Sequence, residues 1–288
     1  MVMKSRKKRC NGGVRQSRKY NKPTDDFAAT DDDKQYIINR FRTNVKGIAV
    51  CLDGLNASHC GREGHWLETQ MGIKHNASNE PDMRGYEMKK SSSKTSLGDF
   101  SANEYMFSKK RSIINEMNGW DETIKITRSG FMHFMGNPNP NKNDRYSWSG
   151  ACVPKYNHWN SNGQMLTVDK NNDIIAYYSF SKDTRQRKSE FPVYLKKDDI
   201  VIAIWKNENM KSKIENKFNQ KGFFICNKLV NTYDKIYFGK PFTFEYFIEC
   251  IKNKSIIFDS GMYDGNNRNY SQFRGSHFWD DLIVEEYE

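Results

Sequence analysis

Two carboxylates and an ammonium group lie within the eight residues 82–89: Asp82 follows Pro81, and four residues later comes Glu87-Met88-Lys89. Cleaving a phosphodiester with a divalent metal requires carboxylates to hold the ion and polarise the scissile phosphate. It also requires a cation or base near the attacking water. On an extended segment, side chains two apart point the same way. Glu87 and Lys89 therefore share a face, and Asp82 at the preceding turn can converge on the same ion. Glu68, on a helix upstream, is a further carboxylate for the same centre. A Glu-x-Lys recurs at Glu215-Asn216-Lys217, in a charged, helix-like stretch without a preceding Pro-Asp, and is read as surface. The competing reading of 82–89 is an exposed edge strand carrying a chance ion pair.

The elements that must position these groups read as mixed α and β. A first helix starts near Asp33, where acidic residues suit the positive end of the helix dipole. Ile37, Phe41 and Val45 give it one buried stripe, and Gly47 is a stop. A second helix covers 63–71, with Leu67 and Met71 on one face. After turn-rich residues 76–81, alternation over 82–89 predicts a strand, with Tyr86 and Met88 on one side and Glu87 and Lys89 on the other. Further strands are expected at 165–168, 174–179, 200–205 and 223–226, then a helix at 243–251 and a strand from Ile256. The Asn- and Pro-rich stretch GNPNPNKNDRYSWSG (136–150) reads as irregular loop. This order argues for an α/β fold with a mixed β-sheet flanked by helices.

Length and charge narrow the function. The 288 residues carry 46 Lys and Arg against 35 Asp and Glu, for a net charge of +11. Residues 1–22 hold nine Lys and Arg and no acid, so the remainder is nearly neutral and a polyanion must meet a local patch or the tail. Residues 1–30 read as a disordered basic arm and 31–288 as the working domain. The longest apolar run is the six residues 200–205, against the roughly 20 a membrane span needs. No signal-peptide core precedes it, and the six cysteines form no Cys-x-x-Cys pair. These features point to reduced thiols and a cytoplasmic location. The spacing of Cys51, His59, Cys60 and His65 fits none of the usual zinc patterns.

The wider segment resembles a known family. Gly61-x-x-Gly64-x-x-Leu67-Glu68-x-x-Met71-Gly72, followed by Pro81-Asp82-x4-Glu87-x-Lys89, is similar to the PD-(D/E)xK nuclease superfamily. Within it, the match is to the branch holding the mismatch-repair nickase MutH and the MvaI/BcnI-type restriction endonucleases. The spacing of four between Asp and Glu agrees with the MvaI type, whereas the MutH gap is two residues longer. The resemblance continues loosely downstream. GNPNPNKNDRYSW looks like the loop after the catalytic strands, the segment 199–229 like a strand–turn–strand, and SQFRGSHFWDDL like the closing segment. It implies a restriction-endonuclease-like fold in two lobes around a DNA cleft, a catalytic lobe over about 31–195 and a recognition lobe over about 196–288. It also implies Asp82 and Glu87 as metal-binding carboxylates, Lys89 as the catalytic lysine, Glu68 as a supporting glutamate, and Mg²⁺ (or Mn²⁺) as cofactor. The products implied are a 5′-phosphate and a 3′-hydroxyl.

Base edges in the major groove are read by forked donors held on loops or helix ends, and phosphate contacts only set register. Two segments have this chemistry, 137–148 with Arg145, and 263–277 with Asn266, Arg268, Gln272, Arg274 and His277; Arg274 also matches an arginine of the family's closing segment. The function expected is a type II restriction endonuclease acting on double-stranded DNA, accompanied by a cognate DNA methyltransferase that forms no stable complex with it. A MutH-like nickase and a non-catalytic DNA-binding protein are the alternatives.

Overall fold

The computed structural model describes residues 32–53, 61–74, 79–275 and 277–288. The basic arm lies outside the described residues, as do His59, Cys60 and His75. The chain divides between residues 75 and 76 into two compact units.

In the first unit, α1 (Asp33–Asn44) is N-capped by Asp32, whose Oδ1 accepts the backbone N–H groups of Lys34 and Gln35 at 2.9 and 3.3 Å. The cap satisfies donors that a helix start otherwise leaves unpaired. Ile37, Phe41 and Val45 are fully buried, as the stripe predicted. Helix α2 (Arg62–Met71) packs against α1 and buries Trp66, Leu67 and Met71. It ends at Gly72, with φ +73°; a Cβ there would sit 1.9 Å from the guanidinium of the buried Arg40. Only glycine fits both the left-handed backbone and that close approach.

The second unit distributes its strands over four sheets. In the first, β1 (Glu87–Lys90) lies at an edge, parallel to β10 (Phe223–Leu229). β11 (Thr232–Gly239) and β15 (Ile283–Tyr287) complete it, antiparallel. The largest runs β3 (Glu104–Tyr105), β9 (Ile200–Trp205), β8 (Ile174–Asp183), β7 (Asn162–Val168) and β6 (Lys155–Tyr156). A third is formed by β12 (Ile256–Ser260), β14 (Ser271–Gly275) and β2 (Thr95–Asp99). The last is formed by β13 (Met262–Tyr263), β5 (Arg145–Trp148) and β4 (Asn137–Asn139). Both larger sheets combine strands from before and after residue 195. Four helices, α3 (Ser112–Asn118), α4 (Arg128–Met135), α5 (Asn207–Phe218) and α6 (Phe244–Lys252), complete the unit, giving the expected mixed α/β class.

The aromatic rings of Trp148, Trp205, Phe258 and Phe273 hold the core where these sheets meet. Ring centroids lie 5.1 Å apart for Trp205–Phe258 and 5.4 Å for both Trp148–Phe258 and Phe258–Phe273. Both of these indoles keep a partner: Trp205 Nε1 donates to the Phe100 carbonyl and Trp148 Nε1 to Gln164 Oε1, each at 2.7 Å. Such satisfaction is what a buried N–H requires.

Three expectations are corrected. The strand predicted over 82–89 begins only at Glu87, because 83–86 form a turn. The stretch 136–150 is not irregular throughout: β4 and β5 make a hairpin in which Pro138 faces Tyr146. Proline is tolerated there because β4 is an edge strand and needs no N–H on its open side. Finally, 199–229 is strand–helix–strand. Met210, Ile214 and Phe218 recur at helical spacing and are all buried, each contributing about 1.5–3 kcal/mol, and this apolar stripe makes α5 a helix despite its charged remainder.

Candidate active site

The turn between Asp82 and Glu87 sets the geometry. Met83 and Tyr86 exchange both backbone hydrogen bonds, at 3.0 and 2.8 Å, and the two residues between them, Arg84 and Gly85, have φ of 49° and 86°. Positive φ at both central positions is the pattern of a type I′ turn, the tightest hairpin connection. Asp82 and Glu87 flank this turn on its two sides, and the charge of Asp82 acts on the Glu87 carboxyl. Asp82 Oδ2 also accepts the backbone N–H of Met88 at 3.0 Å.

Glu87 is the most enclosed member of the site, 1% exposed. Its Oε1 receives two ammonium groups, Lys89 Nζ at 2.5 Å and Lys217 Nζ at 2.9 Å. Its Oε2 is buried and has no hydrogen-bond partner. Burial pushes the Glu87 carboxyl above its ordinary value. Lys89 and Lys217 oppose that rise, and the charge of Asp82 adds to it. Lys89 Nζ also lies 5.5 Å from the centroid of the Phe218 ring. Among the described residues, no group of three or more His, Cys, Asp or Glu gathers as a metal cage. The pair Asp82 and Glu87 is nevertheless a hard-oxygen donor set with one buried oxygen unclaimed, which suits a hard divalent cation that retains several waters.

The structure corrects the surface reading of Lys217: its side chain is only 13% exposed. Helix α5 brings it to Glu87. Asn79 Nδ2 donates to the Lys213 carbonyl at 2.7 Å. Beyond the helix, Lys221 N–H donates to the Gly85 carbonyl and Glu87 N–H to the Gly222 carbonyl, each at 3.1 Å. The helical spacing carried a signal, since Lys217 is three residues after Ile214 and borders the buried stripe. Glu215 on the same helix is engaged as well, its Oε1 accepting the Phe244 N–H at 3.2 Å. Glu68 lies half-buried on α2, in the first unit.

The predicted base-reading residues are engaged within the second unit. The Arg145 guanidinium carbon stacks 3.6 Å from the Tyr263 ring centroid. Asn266 Oδ1 accepts the Arg268 N–H at 2.8 Å. Arg268, 64% exposed, reaches Asp99 at 3.1 Å and stacks on Tyr270. On β14, Gln272 and Arg274 alternate with the buried Ser271, Phe273 and Gly275, so both project from the half-exposed face. Arg274 Nε lies 2.7 Å from Asp259 Oδ2, an ion pair without hydrogen-bond alignment, and Arg274 also donates to Gln272 Oε1. The His277 side chain is outside the described set. Arg128 is not singled out by the sequence. It ties down the segment after β13, donating to the Tyr263 and Arg268 carbonyls at 2.9 Å and to Asn269 Oδ1 at 3.0 Å.

The fold is that of a restriction endonuclease. The structure described as a restriction endonuclease MvaI–cognate DNA substrate complex matches 81% of this chain and 89% of its own length, with a TM-score of 0.51 at 14% identity. Sequence supplies the family. Residues 45–287 match the LlaMI restriction endonuclease family. The chain is also 43% identical over 267 residues to the type II restriction enzyme ScrFI of Lactococcus lactis subsp. cremoris, covering 88% of this chain and 97% of that one. The chain therefore belongs to the LlaMI restriction endonuclease family. It is a type II, site-specific deoxyribonuclease, and the expected likeness in fold to MvaI is borne out.

Proposed function

We propose that this endonuclease hydrolyses both strands of duplex DNA at one short site with Mg²⁺ held by Asp82 and Glu87, Mn²⁺ substituting. A bound divalent ion supplies Lewis-acid polarisation of the scissile phosphate and lowers the pKa of water. The chain's own residues do the rest. Asp82 and Glu87 present their carboxylates from opposite sides of one rigid turn. Lys89, two residues along the same strand, orients the attacking water and stabilises the charge that develops on the phosphate oxygens. The products are a 5′-phosphate and a 3′-hydroxyl. The observation that carries this reading is the unclaimed, buried Oε2 of Glu87, on the residue that follows the turn after Asp82 and feels its charge.

Sequence reading falls to Arg145, Asn266, Arg268, Gln272, Arg274 and His277. Gln272 and Arg274 offer adjacent forked groups from one face of a strand, which suits bidentate contact with base edges. To make it, Arg274 exchanges its intramolecular partner Asp259 for a base. Cleavage centres on residues within 31–195 and base reading, Arg145 apart, on residues within 196–288. A cognate methyltransferase protects host DNA, and both act in the cytoplasm.

The test is cleavage of a sequenced plasmid. Asp82→Ala and Lys89→Ala should abolish cutting while leaving DNA binding largely in place, and EDTA should stop the unaltered enzyme. Undiminished cutting in chelator, or by either variant, overturns the proposal.

A further inference from the structure

Glu87 Oε1 accepts two lysines while Oε2 accepts nothing. One ammonium is enough to neutralise a carboxylate, so the second calls for a reason. We infer that Lys217 is a positioning residue: it holds and neutralises Glu87 so that Lys89 can leave that carboxylate and work on the water and phosphate. This rests on the proposed reading of Asp82 and Glu87 as the metal-holding pair.

Geometry supports the division of labour. Lys89 has two tasks that conflict if it acts alone. At Glu87 it balances a carboxylate that is 1% exposed, yet at the scissile group it must point elsewhere. A buried charge stripped of its partner is strongly unfavourable, so Lys89 alone would be trapped at Glu87. Lys217 removes the conflict, and it is placed to stay. Phe218, its neighbour on α5, is fully buried and stacks 4.7 Å from the Phe242 ring centroid. Asn79 fixes the helix one turn earlier. The backbone bonds from Lys221 to Gly85 and from Glu87 to Gly222 fix the chain just beyond the helix. The helix around Lys217 is thus held by core packing, by Asn79 and, just beyond its end, by the turn itself. With both ammonium groups on Oε1, the carboxylate plane is held and Oε2 is left free of them.

The two lysines should therefore fail differently. Lys217→Gln is expected to raise the Mg²⁺ concentration for half-maximal single-turnover cleavage about tenfold or more, as is usual when a group supporting a metal ligand is removed, and also to lower the rate at saturating metal, because Lys89 is then held at Glu87. It should weaken Mn²⁺ binding to the DNA-free protein, read by electron paramagnetic resonance, by a similar factor. Lys217→Arg, which retains the charge and the reach, should recover most of both. Lys89→Gln should instead lower the rate at saturating metal while leaving Mn²⁺ affinity within about twofold. Should Lys217→Gln fold poorly by thermal unfolding, Lys217→Arg against Lys217→Met at a temperature where both are folded carries the same comparison. Two outcomes overturn the inference: a Lys217→Gln enzyme with unaltered metal dependence and Mn²⁺ affinity, or one that retains the full rate at saturating metal, which would show that Lys89 needs no release by Lys217. If the unaltered protein itself binds no Mn²⁺ and cuts in EDTA, the metal-site reading has failed, and this inference with it.

Discussion

The carboxylate of Asp82 closes the turn that carries it, accepting the Met88 backbone N–H at 3.0 Å. One oxygen of the proposed metal ligand therefore also serves as a structural acceptor. The two duties can be separated. Asp82→Asn retains an acceptor oxygen and should keep thermal stability close to that of the unaltered protein, whereas Asp82→Ala should lose about 1 kcal/mol. Both should be inactive. Thermal unfolding and plasmid cleavage on the same preparations test this, and a cutting Asp82→Asn enzyme would contradict it.

Gly85 sits at φ +86° in the turn, and a Cβ there would come within 3.2 Å of the Lys221 side chain. That flexible chain can move, but the left-handed backbone cannot be relieved so easily. Gly85→Ala should cost about 1–2 kcal/mol and reduce cleavage by misaligning Asp82 against Glu87. Urea denaturation and single-turnover rates measure the two effects. An unchanged rate would mean that the turn tolerates other backbones.

Burial holds the Glu87 carboxyl above the usual glutamate value of 4.5 despite Lys89 and Lys217. In the proposed site its charged form would hold the metal, so cleavage should fall as pH drops through that raised value, well before ordinary carboxylates protonate. Higher Mg²⁺ should shift the acidic limb downward, because metal and proton compete for one group. The stability effect has the opposite sign. In metal-free protein the folded state holds this proton more tightly than the unfolded one, so Glu87's contribution to stability declines as pH rises from 4.5 through the folded value. Rate profiles at two Mg²⁺ concentrations, with unfolding in EDTA over the same range, test both signs.

Arg128 spends its donors on the segment after β13. Arg128→Ala should loosen residues 264–270, seen as faster amide exchange there, and weaken DNA binding more than turnover at saturating DNA. Lysine should not rescue it, since a point charge cannot reproduce the fork. Loss of turnover without change in affinity would place the segment in the chemistry instead of in recognition.

Deleting residues 1–25 removes nine basic side chains and one acid. Binding should weaken and its salt dependence flatten, because log affinity falls by about 0.9 per neutralised phosphate for each decade of salt. The cleaved sequence should stay the same. A shifted site would show that the arm reads bases.

Much of the fold was legible where one physical signal dominated. The apolar run 200–205 coincides with β9, and the apolar periodicity after Thr243 coincides with α6, whose N-cap is Thr243. The Asp82, Glu87 and Lys89 constellation was legible as residue types at a spacing, and the structure brings Glu87 and Lys89 together with Asp82 across the turn. The turn itself was concealed because Arg-Gly is not one of the common turn dipeptides and the surrounding alternation ran through it. Lys217 was hidden for another reason. Its partner is 130 residues away in sequence, and its helix is charged on every side but one. Arg128 is the same case, reaching carbonyls more than 130 residues distant, which no local pattern encodes.

The floor beneath Lys89 is aromatic and includes a residue from the segment before β15. Phe218 packs 5.8 Å from Trp279, and Trp279 lies 4.7 Å from Phe223, which pairs with Glu87. Shortly after Trp279 the chain enters β15, on the same sheet as β1 and β10. Substitutions at Trp279 or in β15 therefore act on the proposed cutting centre through this wall.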